Sequence, residues 1–429
     1  MKMSSLRSLA AGLALILTAC SASPLPSGMT RFQNQNAQIA PIARGQSFLP
    51  LSPALPKGRE ARPATVLSYL PIDDGLQEHI GFYLNTLERT TSPRTWQVAF
   101  SDALGPENTF FHLIQPDKSD KVVSASSFPA PAIHEMTSNS PNTLASVVEW
   151  TYSNYNSPFK AFTYLGHGGG FMGVASDATP GPEGEYASPT GMLRLEDLRS
   201  ALRRGLKGRK LDLINFHACL MANLEAAYSL RDVARVMYAS EDVVGAHQEG
   251  TEKPTEILNT LLQQSNPDPY RIAREVAIQV QARQNPYGFA TASAIDLDRI
   301  EELKQALNVL SGTLIRALPT QRQAILTAYN SVPEFQNAAG TGQRDLWTLS
   351  KRLLRVPDPK VQQAAGAVVA AMRRVLIHTR DSEGDAANGL SILMPPPAQA
   401  AGYIQQLGYA NSPFGKDSGW DEFLLALGR

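Results

Sequence analysis

The sequence is poor in cysteine and has no excess of charge of either sign. Its 429 residues include two cysteines, Cys20 and Cys219, so a disulfide-rich scaffold is excluded. Lys and Arg together number 39, as do Asp and Glu, which gives a formal net charge of +0. That balance argues against nucleic acid as a partner and against electrostatic attachment to an anionic membrane surface.

Several motifs that would indicate other kinds of site are also missing. There is no HExxH and no CxxC, so the compact ligand spacings of zinc proteins do not occur. The His-Gly-Gly-Gly segment at residues 167–170 is not matched by the GxSxG elbow that an α/β-hydrolase needs. We therefore expect no metal and no cofactor. Zinc held by residues distant in sequence stays an alternative, with the candidate ligands His167, His217, Cys219 and His247.

The N-terminus carries the one apolar run that suggests a membrane. Two basic residues precede the apolar residues 9–17, as in a secretory signal, and no later run could span a bilayer. The Leu-Thr-Ala-Cys segment at residues 17–20 resembles a bacterial lipobox, which implies export, cleavage before Cys20 and lipid attachment there. Ser21 follows, which in a Gram-negative envelope favours the outer membrane. An ordinary signal peptide with an incidental cysteine is the alternative.

The rest of the chain divides by composition. Residues 1–19 form the predicted signal peptide, and residues 20–62 hold the lipidated cysteine and a flexible tether rich in Pro, Gln, Asn and Ser. Residues 63–250 alternate predicted strands and helices, which favours an α/β fold with a mostly parallel sheet covered on both faces. Residues 251–429 are rich in predicted helices. This half includes predicted helices at 297–318, 321–329 and 360–378 and strands at 289–295 and 390–394.

Cys219 lies between a predicted buried strand beginning at Leu211 and a predicted helix through residues 223–228. At such a junction, the unpaired backbone N–H groups and the positive end of the helix dipole would favour a thiolate. Cys219 is therefore a candidate nucleophile. A buried structural thiol is the alternative.

His167 follows a second predicted strand, at residues 160–165, and is flanked by glycines at 166 and 168–170. In an open parallel sheet, functional groups gather at the carboxyl ends of the strands. If the two strands are neighbours, His167 and Cys219 meet there, which is the minimum for thiol nucleophilic catalysis. The glycines also permit backbone N–H groups to face an oxyanion. A merely flexible turn is the alternative.

Several short segments, in this order along the chain, resemble the clostripain family of cysteine peptidases, relatives of caspases, gingipains and legumain. The most specific are Gly-His-Gly-Gly at residues 166–169 and Ala-Cys-Leu-Met-Ala-Asn-Leu-Glu at residues 218–225. The resemblance extends from Ala64 to the C-terminus. Further markers lie at residues 73–76, 239–241, 293–297, 389–392 and 419–424.

The resemblance implies a caspase-like αβα sandwich and a cysteine endopeptidase acting on proteins or peptides. It implies a catalytic dyad in which Cys219 attacks the scissile carbonyl and His167 transfers the proton to the leaving amine. The oxyanion hole would be formed by the backbone N–H groups of Gly168 and Cys219. The substrate would lie along the sheet edge near Ser240.

Two departures from the family pattern bear on specificity. The family usually has Asp two residues before the nucleophile, at the base of the P1 pocket, and here that position is His217. In the family, the loop after residues 239–241 often supplies another acidic residue to the P1 pocket. Here residues 243–247 of that loop contain no acid and end in His247. We therefore expect a neutral or acidic P1 residue rather than Arg or Lys, with protonated His217 favouring an acid below about pH 6.5. For His217, the alternative is a packed histidine hydrogen-bonded to backbone. For the whole chain, the alternative is an inactive lipoprotein that binds a partner.

Overall fold

The fold is known from a computed structural model of the chain. The signal peptide, almost all of the tether, Cys20 and His247 lie outside the described residues. Within the described part of the chain, no helix has both the length and the apolarity needed to cross a membrane. The structure describes residues 58, 60–74, 76–105, 109–119, 127–128, 135–181, 184–188, 190–245, 252–264, 266–281, 291–335, 340–378 and 387–429.

Short apolar segments rich in β-branched and aromatic residues form the strands, as their composition favours. In chain order they are β1 (Ala64–Asp73), β2 (Thr95–Ala103), β3 (Thr109–Leu113), β4 (Ser127–Phe128), β5 (Phe159–Leu165), β6 (Ser176–Asp177), β7 (Leu211–His217), β8 (Ala234–Ala239), β9 (Ser293–Asp296), β10 (Gln343–Asp345), β11 (Leu376–His378) and β12 (Ser391–Leu393).

The helices follow segments whose apolar residues recur at helical spacing. They are α1 (Ile80–Thr90), α2 (Pro141–Asn154), α3 (Leu195–Leu206), α4 (Leu224–Leu230), α5 (Glu252–Leu262), α6 (Pro269–Gln281), α7 (Ile300–Asn330), α8 (Leu346–Leu353), α9 (Pro359–Val375), α10 (Ala400–Gln406), α11 (Pro413–Asp417) and α12 (Trp420–Gly428).

One large sheet carries most of the strands, in the order β11-β9-β8-β7-β5-β1-β2-β3-β4, with β6 pairing to the end of β1. The five central strands, from β8 to β2, are parallel, and the pairs at both ends are antiparallel. Every residue of β1 is buried, as expected of a parallel strand covered on both faces. Since β9 and β11 extend this sheet, the helix-rich second half contributes to the same fold.

Helices cover both faces of the sheet, so the predicted α/β sandwich is confirmed. On one face, Val66 and Leu213 belong to a core that includes Ile257 of α5 and Ile272 of α6. On the other face, the alternate strand residues join a larger core that includes α2, α3 and α7. This alternation follows from the two-residue period of a strand, which points successive side chains to opposite faces.

The structure corrects two predicted helices in the C-terminal half. Helix α7 continues through Pro319, where two helices were predicted, because apolar residues on both sides of the proline are buried in one core. The predicted helix 360–378 ends at Val375, and the next three residues pair with β9. The predicted strand 390–394 is present as β12, which pairs with β10 in a separate sheet.

Candidate active site

The two predicted catalytic residues follow neighbouring parallel strands at the same height. The last paired residues of β5 and β7 are Leu165 and His217, and His167 and Cys219 each come two residues later. The loops that carry them are in direct contact. A Cβ atom added to Gly168 would lie 2.2 Å from the Cys219 carbonyl oxygen, so only glycine fits at that position.

Cys219 lies in a turn and not at the start of a helix, so the predicted helix-dipole contribution to its thiolate is wrong. Helix α4 begins five residues later, and its N-cap is Asn223, whose side chain accepts from the Ala226 N–H (2.7 Å). Between them, Leu220 has a φ of 64°, in the left-handed region that non-glycine residues rarely adopt. The Ala222 N–H donates to the Ser240 carbonyl (2.8 Å), which fixes this turn against the end of β8.

The Cys219 sulfur is enclosed by the loop that follows β8. Cys219 is 1% exposed, and the Val244 N–H lies 3.4 Å from its Sγ atom. A donor at this distance can stabilise negative charge on the sulfur. Nucleophilic chemistry at Cys219 requires its sulfur as a free thiol or thiolate.

His167 is held by an acidic residue from the neighbouring strand end. Its Nε2 atom lies 3.5 Å from Oδ2 of Asp74, which directly follows β1. Asp74 is held in turn by the Leu76 N–H (2.8 Å) and the Ser176 hydroxyl (3.2 Å). Asp74 was not among the predicted site residues, although an acidic residue after a buried strand was a signal that could have identified it.

Burial sets the charge of the imidazole. It lowers the pKa of His167, and the neighbouring Asp74 carboxylate opposes that shift. The His167 Nδ1 atom is buried without a hydrogen-bond partner. With Nε2 directed to the carboxylate, Nδ1 is the nitrogen that can accept a proton.

The backbone N–H of Gly168 lies between two backbone hydrogen bonds in which it takes no part. An antiparallel bridge joins Gly168 and Val174. Its two hydrogen bonds run from the Gly169 N–H to the Gly173 carbonyl (2.9 Å) and from the Ala175 N–H to the His167 carbonyl (3.2 Å). Both bonds flank Gly168, so its own N–H takes no part in the bridge and can meet a developing oxyanion.

His217 is buried and electrically neutral. It is 3% exposed, its Nε2 atom lies 2.9 Å from the Asn215 amide nitrogen, and its ring meets the Tyr83 ring edge-on at 6.0 Å. Burial lowers the pKa of His217 to about 3. The expected protonation near pH 6.5 is therefore wrong, because an imidazole without a carboxylate partner is more stable uncharged in this environment.

Ser240 and His247 are the other two residues that were predicted to contact substrate. Ser240 follows β8, which is paired on both sides, and its contact with substrate stays a prediction. Its hydroxyl donates to the Asp242 carbonyl (3.0 Å) and lies 2.8 Å from the Thr291 hydroxyl. His247 lies outside the described residues, so its role in substrate binding stays a prediction.

Three of the four candidate zinc ligands lie in the described part of the chain, and the structure does not group them as a metal site. Among the described residues, the one group of His, Cys, Asp and Glu side chains with metal-binding spacing consists of Asp73, Asp102 and Glu135. His167, His217 and Cys219 are not part of it.

Comparison with known proteins identifies one family and a shared fold. The sequence model of the clostripain family matches residues 109–426. No curated protein matches the chain.

Three solved C11 proteases share the fold, which confirms the predicted caspase-like architecture. An inactive zymogen from Parabacteroides distasonis is 17% identical, with a TM-score of 0.56 over 83% of this chain and 98% of its own. A secreted cysteine protease from Bacteroides thetaiotaomicron, bound to an irreversible peptide inhibitor, is 18% identical, with a TM-score of 0.54 over 82% and 98%. A second structure from that organism, called iotapain, is 14% identical, with a TM-score of 0.60 over 84% and 99%.

Proposed function

The chain belongs to the clostripain family of cysteine peptidases, and from this premise we propose that Cys219 and His167 hydrolyse peptide bonds as nucleophile and general base. The observation that carries the proposal is the register of β5 and β7, which puts both residues two positions beyond the same rung of the sheet. The substrate is a protein or peptide cleaved internally.

In the proposed reaction, Nδ1 of His167 takes the thiol proton and the Cys219 sulfur attacks the scissile carbonyl carbon. The carbonyl oxygen becomes an oxyanion, to which the Gly168 and Cys219 N–H groups donate. His167 then gives the proton to the leaving amine as the C–N bond breaks. Water, activated by the same imidazole, hydrolyses the thioester and restores the thiol.

Asp74 acts in this scheme as a positioning residue. We expect Asp74→Asn to lower kcat about 10- to 100-fold with little change in KM, because the amide no longer holds the imidazole in the reactive tautomer. Steady-state kinetics on a fluorogenic peptide measure this split. The matched control is Asp232→Asn, which breaks a surface ion pair with Arg199. An unchanged kcat in Asp74→Asn would remove Asp74 from the mechanism.

We further propose that the P1 pocket accepts a neutral side chain. The position that would supply a fixed negative charge holds His217, whose imidazole stays uncharged above about pH 4 because its pKa is about 3. A basic P1 residue finds no carboxylate there and an acidic one finds no cation. The expected P1 preference is therefore for a neutral residue, and not for the acidic residue that a protonated His217 would favour.

A peptide library varied at P1, cleaved by the reduced protein between pH 5.5 and 8, tests this specificity. We expect peptides with neutral P1 residues to be cleaved fastest, at a ratio to P1 Glu that does not change with pH over this range. The Cys219→Ala protein is the control for contaminating peptidases. A preference for Arg or Lys contradicts the neutral pocket, and a rise in P1 Glu cleavage on acidification shows that His217 titrates after all.

We also propose that the protein is exported and anchored to the bacterial envelope through a lipid on Cys20. The Leu-Thr-Ala-Cys segment after an apolar run supports this. We expect the full chain to sediment with membranes and to incorporate labelled palmitate, and Cys20→Ser to do neither. Cys219→Ala is the matched control, because it removes the other cysteine and leaves the lipobox intact. Equal labelling of wild type and Cys20→Ser would contradict the anchor.

One observation favours a second function, that of a binding protein without catalysis. Cys219 is buried, and His217 stands where the family usually has an acid. If the protein only binds a partner, the reduced protein will cleave no peptide of the library. The library experiment therefore separates the two functions.

A further inference from the structure

Two buried carboxyl groups meet where the segment after β8 contacts the small sheet of β10 and β12. Glu241 is 1% exposed and Asp345 is 0% exposed. Their side chains lie within hydrogen-bonding distance of each other, although two ionised carboxylates can only accept hydrogen bonds. Two carboxyl groups this close in a buried place do not both ionise, because like charges repel strongly there, so the pair keeps a proton.

Hydrogen bonds from the protein hold three of the four carboxyl oxygens. Oδ1 of Asp345 accepts from the Thr348 N–H (2.6 Å) and the Asn388 side-chain amide (3.1 Å), and its Oδ2 accepts from the Asn388 N–H (3.0 Å). Oε2 of Glu241 accepts from the Gly389 N–H (2.6 Å). The fourth oxygen, Oε1 of Glu241, is buried and has no hydrogen-bond partner among the described residues. A proton on Oε1 removes this deficit, because Oε1 then donates to Asp345.

Charge compensation by a cationic side chain does not account for the pair. Neither Glu241 nor Asp345 forms an ion pair with a residue that the structure describes. Arg344, next to Asp345 in the chain, pairs with Glu334 (2.8 Å). Asp242, on the other side, is also acidic and adds to the repulsion. Burial is the main cause that raises the pKa of Glu241, and Asp345 raises it further.

The pair joins two chain segments that both hold the turn of Cys219. The backbone carbonyl groups on either side of Glu241 accept from this turn, the preceding one from the Ala222 N–H (2.8 Å) and the following one from the Leu220 N–H (3.3 Å). In the other segment, the Ser391 N–H donates to the Ala222 carbonyl (2.9 Å). Ser391 comes two residues after Gly389, which donates to Glu241. The turn is therefore fastened to both sides of the carboxyl pair.

We propose that Glu241 is a positioning residue for Cys219, acting as a neutral carboxylic acid that donates a hydrogen bond to Asp345. This bond ties the segment after β8 to the segment before β12, and both segments hold the turn. Loss of the proton would leave two buried negative charges in contact and push the segments apart. The effect on catalysis rests on the proposed function, whereas the shared proton and the held turn do not.

Glutamine at position 241 imitates the protonated acid. Its amide keeps an acceptor for the Gly389 N–H and a donor for Asp345, and it does not titrate. In the parent protein, the raised pKa means that the folded state keeps a proton that the unfolded chain loses above about pH 4.3, so stability falls as the pH rises toward the pKa of the folded state. We therefore expect the melting temperature of Glu241→Gln, relative to its parent, to rise by about 3 °C or more between about pH 5 and pH 8.5.

Hydrogen exchange tests whether the pair holds the turn. In the full-length Cys219→Ala protein, Glu241→Ala should speed exchange in residues 218–224 at least about tenfold, and Glu241→Gln should leave it within about twofold. Exchange in α2 should change in neither variant, which distinguishes local loosening from general destabilisation. With Cys219 present, Glu241→Ala should lower kcat at least about tenfold and change KM less than about threefold, because a displaced nucleophile slows the chemical step. Glu241→Gln should restore kcat.

Glu149→Gln is the matched control, since Glu149 pairs with Lys207 on the surface of α2 and α3 (2.7 Å). Its melting temperature relative to the parent should not rise over the same pH range, and exchange in residues 218–224 should stay at the parent's rate. Both the melts and the exchange use the Cys219→Ala protein as parent, so neither depends on peptide cleavage.

Three results would overturn the proposal. One is a melting-temperature difference between Glu241→Gln and its parent that stays constant with pH. The others are exchange in the turn that is as fast in Glu241→Gln as in Glu241→Ala, and slow exchange in a folded Glu241→Ala protein. The melts need only the glutamine variant, so they decide the matter even if Glu241→Ala does not fold. A protein that passes these tests but cleaves no peptide contradicts the proposed function and leaves the carboxyl pair in place.

Discussion

Replacing Cys219 with alanine should lower kcat/KM for peptide hydrolysis at least about 1,000-fold, because no other group can form the covalent intermediate. The measurement is steady-state cleavage of a fluorogenic peptide that the wild-type protein accepts, in the presence of a thiol reductant. The reductant keeps the Cys219 sulfur in the thiol form that the reaction requires.

The chain offers a matched control for this variant in its other cysteine. Cys20→Ser removes the second thiol and should keep the wild-type rate constant for a soluble peptide, since residue 20 belongs to the signal and anchor region and not to the catalytic scheme. Buried Cys219 contacts apolar neighbours, so a thermal melt must show that Cys219→Ala is folded. A folded Cys219→Ala protein that retains wild-type turnover would rule out the proposed nucleophile.

His167→Ala should have the second-largest effect, a fall in kcat of about 100- to 10,000-fold. Without the imidazole, no group accepts the thiol proton through Nδ1 or returns it to the leaving amine. The same variant should slow alkylation of reduced Cys219 by iodoacetamide at pH 7, because less of the sulfur is present as thiolate. Hydrolysis and alkylation are separate measurements, and both should decline together.

His378→Ala is the control for the loss of a histidine. His378 lies on β11, at the far side of the sheet from β1, and burial lowers its pKa as it does for His167. Its replacement should leave both rates close to those of the wild type. If His167→Ala hydrolyses peptides normally, or if its Cys219 alkylates as fast as in the wild type, His167 is not the proton acceptor.

The strands that carry the site could be predicted because their signals are local. Residues 160–165 and 211–217 are apolar and β-favouring, and each is followed at once by a chemically distinctive residue, His167 or Cys219. Their adjacency in the sheet depends on strand order, which an α/β pattern limits but does not fix. The resemblance to clostripain segments implied that His167 and Cys219 act together, which periodicity alone could not.

What could not be predicted depends on contacts between distant segments. The turn before α4 needs a left-handed Leu220, which no local propensity favours, and it is stabilised by the end of β8. Asp74 gains its role from a neighbouring strand. The aspartates at 73, 102 and 177 lie on three strands whose ends meet only after the sheet has formed.

Helix α7 shows a further limit of sequence reasoning. Pro319 ordinarily ends a helix, and the local pattern favours two shorter ones. The tertiary core overrides that preference, because Leu314, Leu318 and Ile325 are buried in the same cluster on either side of the proline. Tertiary packing of an apolar face outweighs the lost hydrogen bond at one residue.

The most direct test of the proposed dyad is covalent labelling of the reduced protein with a peptidyl acyloxymethyl ketone carrying a neutral P1 residue, followed by peptide mapping in a mass spectrometer. We predict one adduct, on Cys219, that forms rapidly in the wild type and at least 100-fold more slowly in His167→Ala. An adduct on another residue, or equal labelling rates in the two proteins, would contradict catalysis by Cys219 and His167.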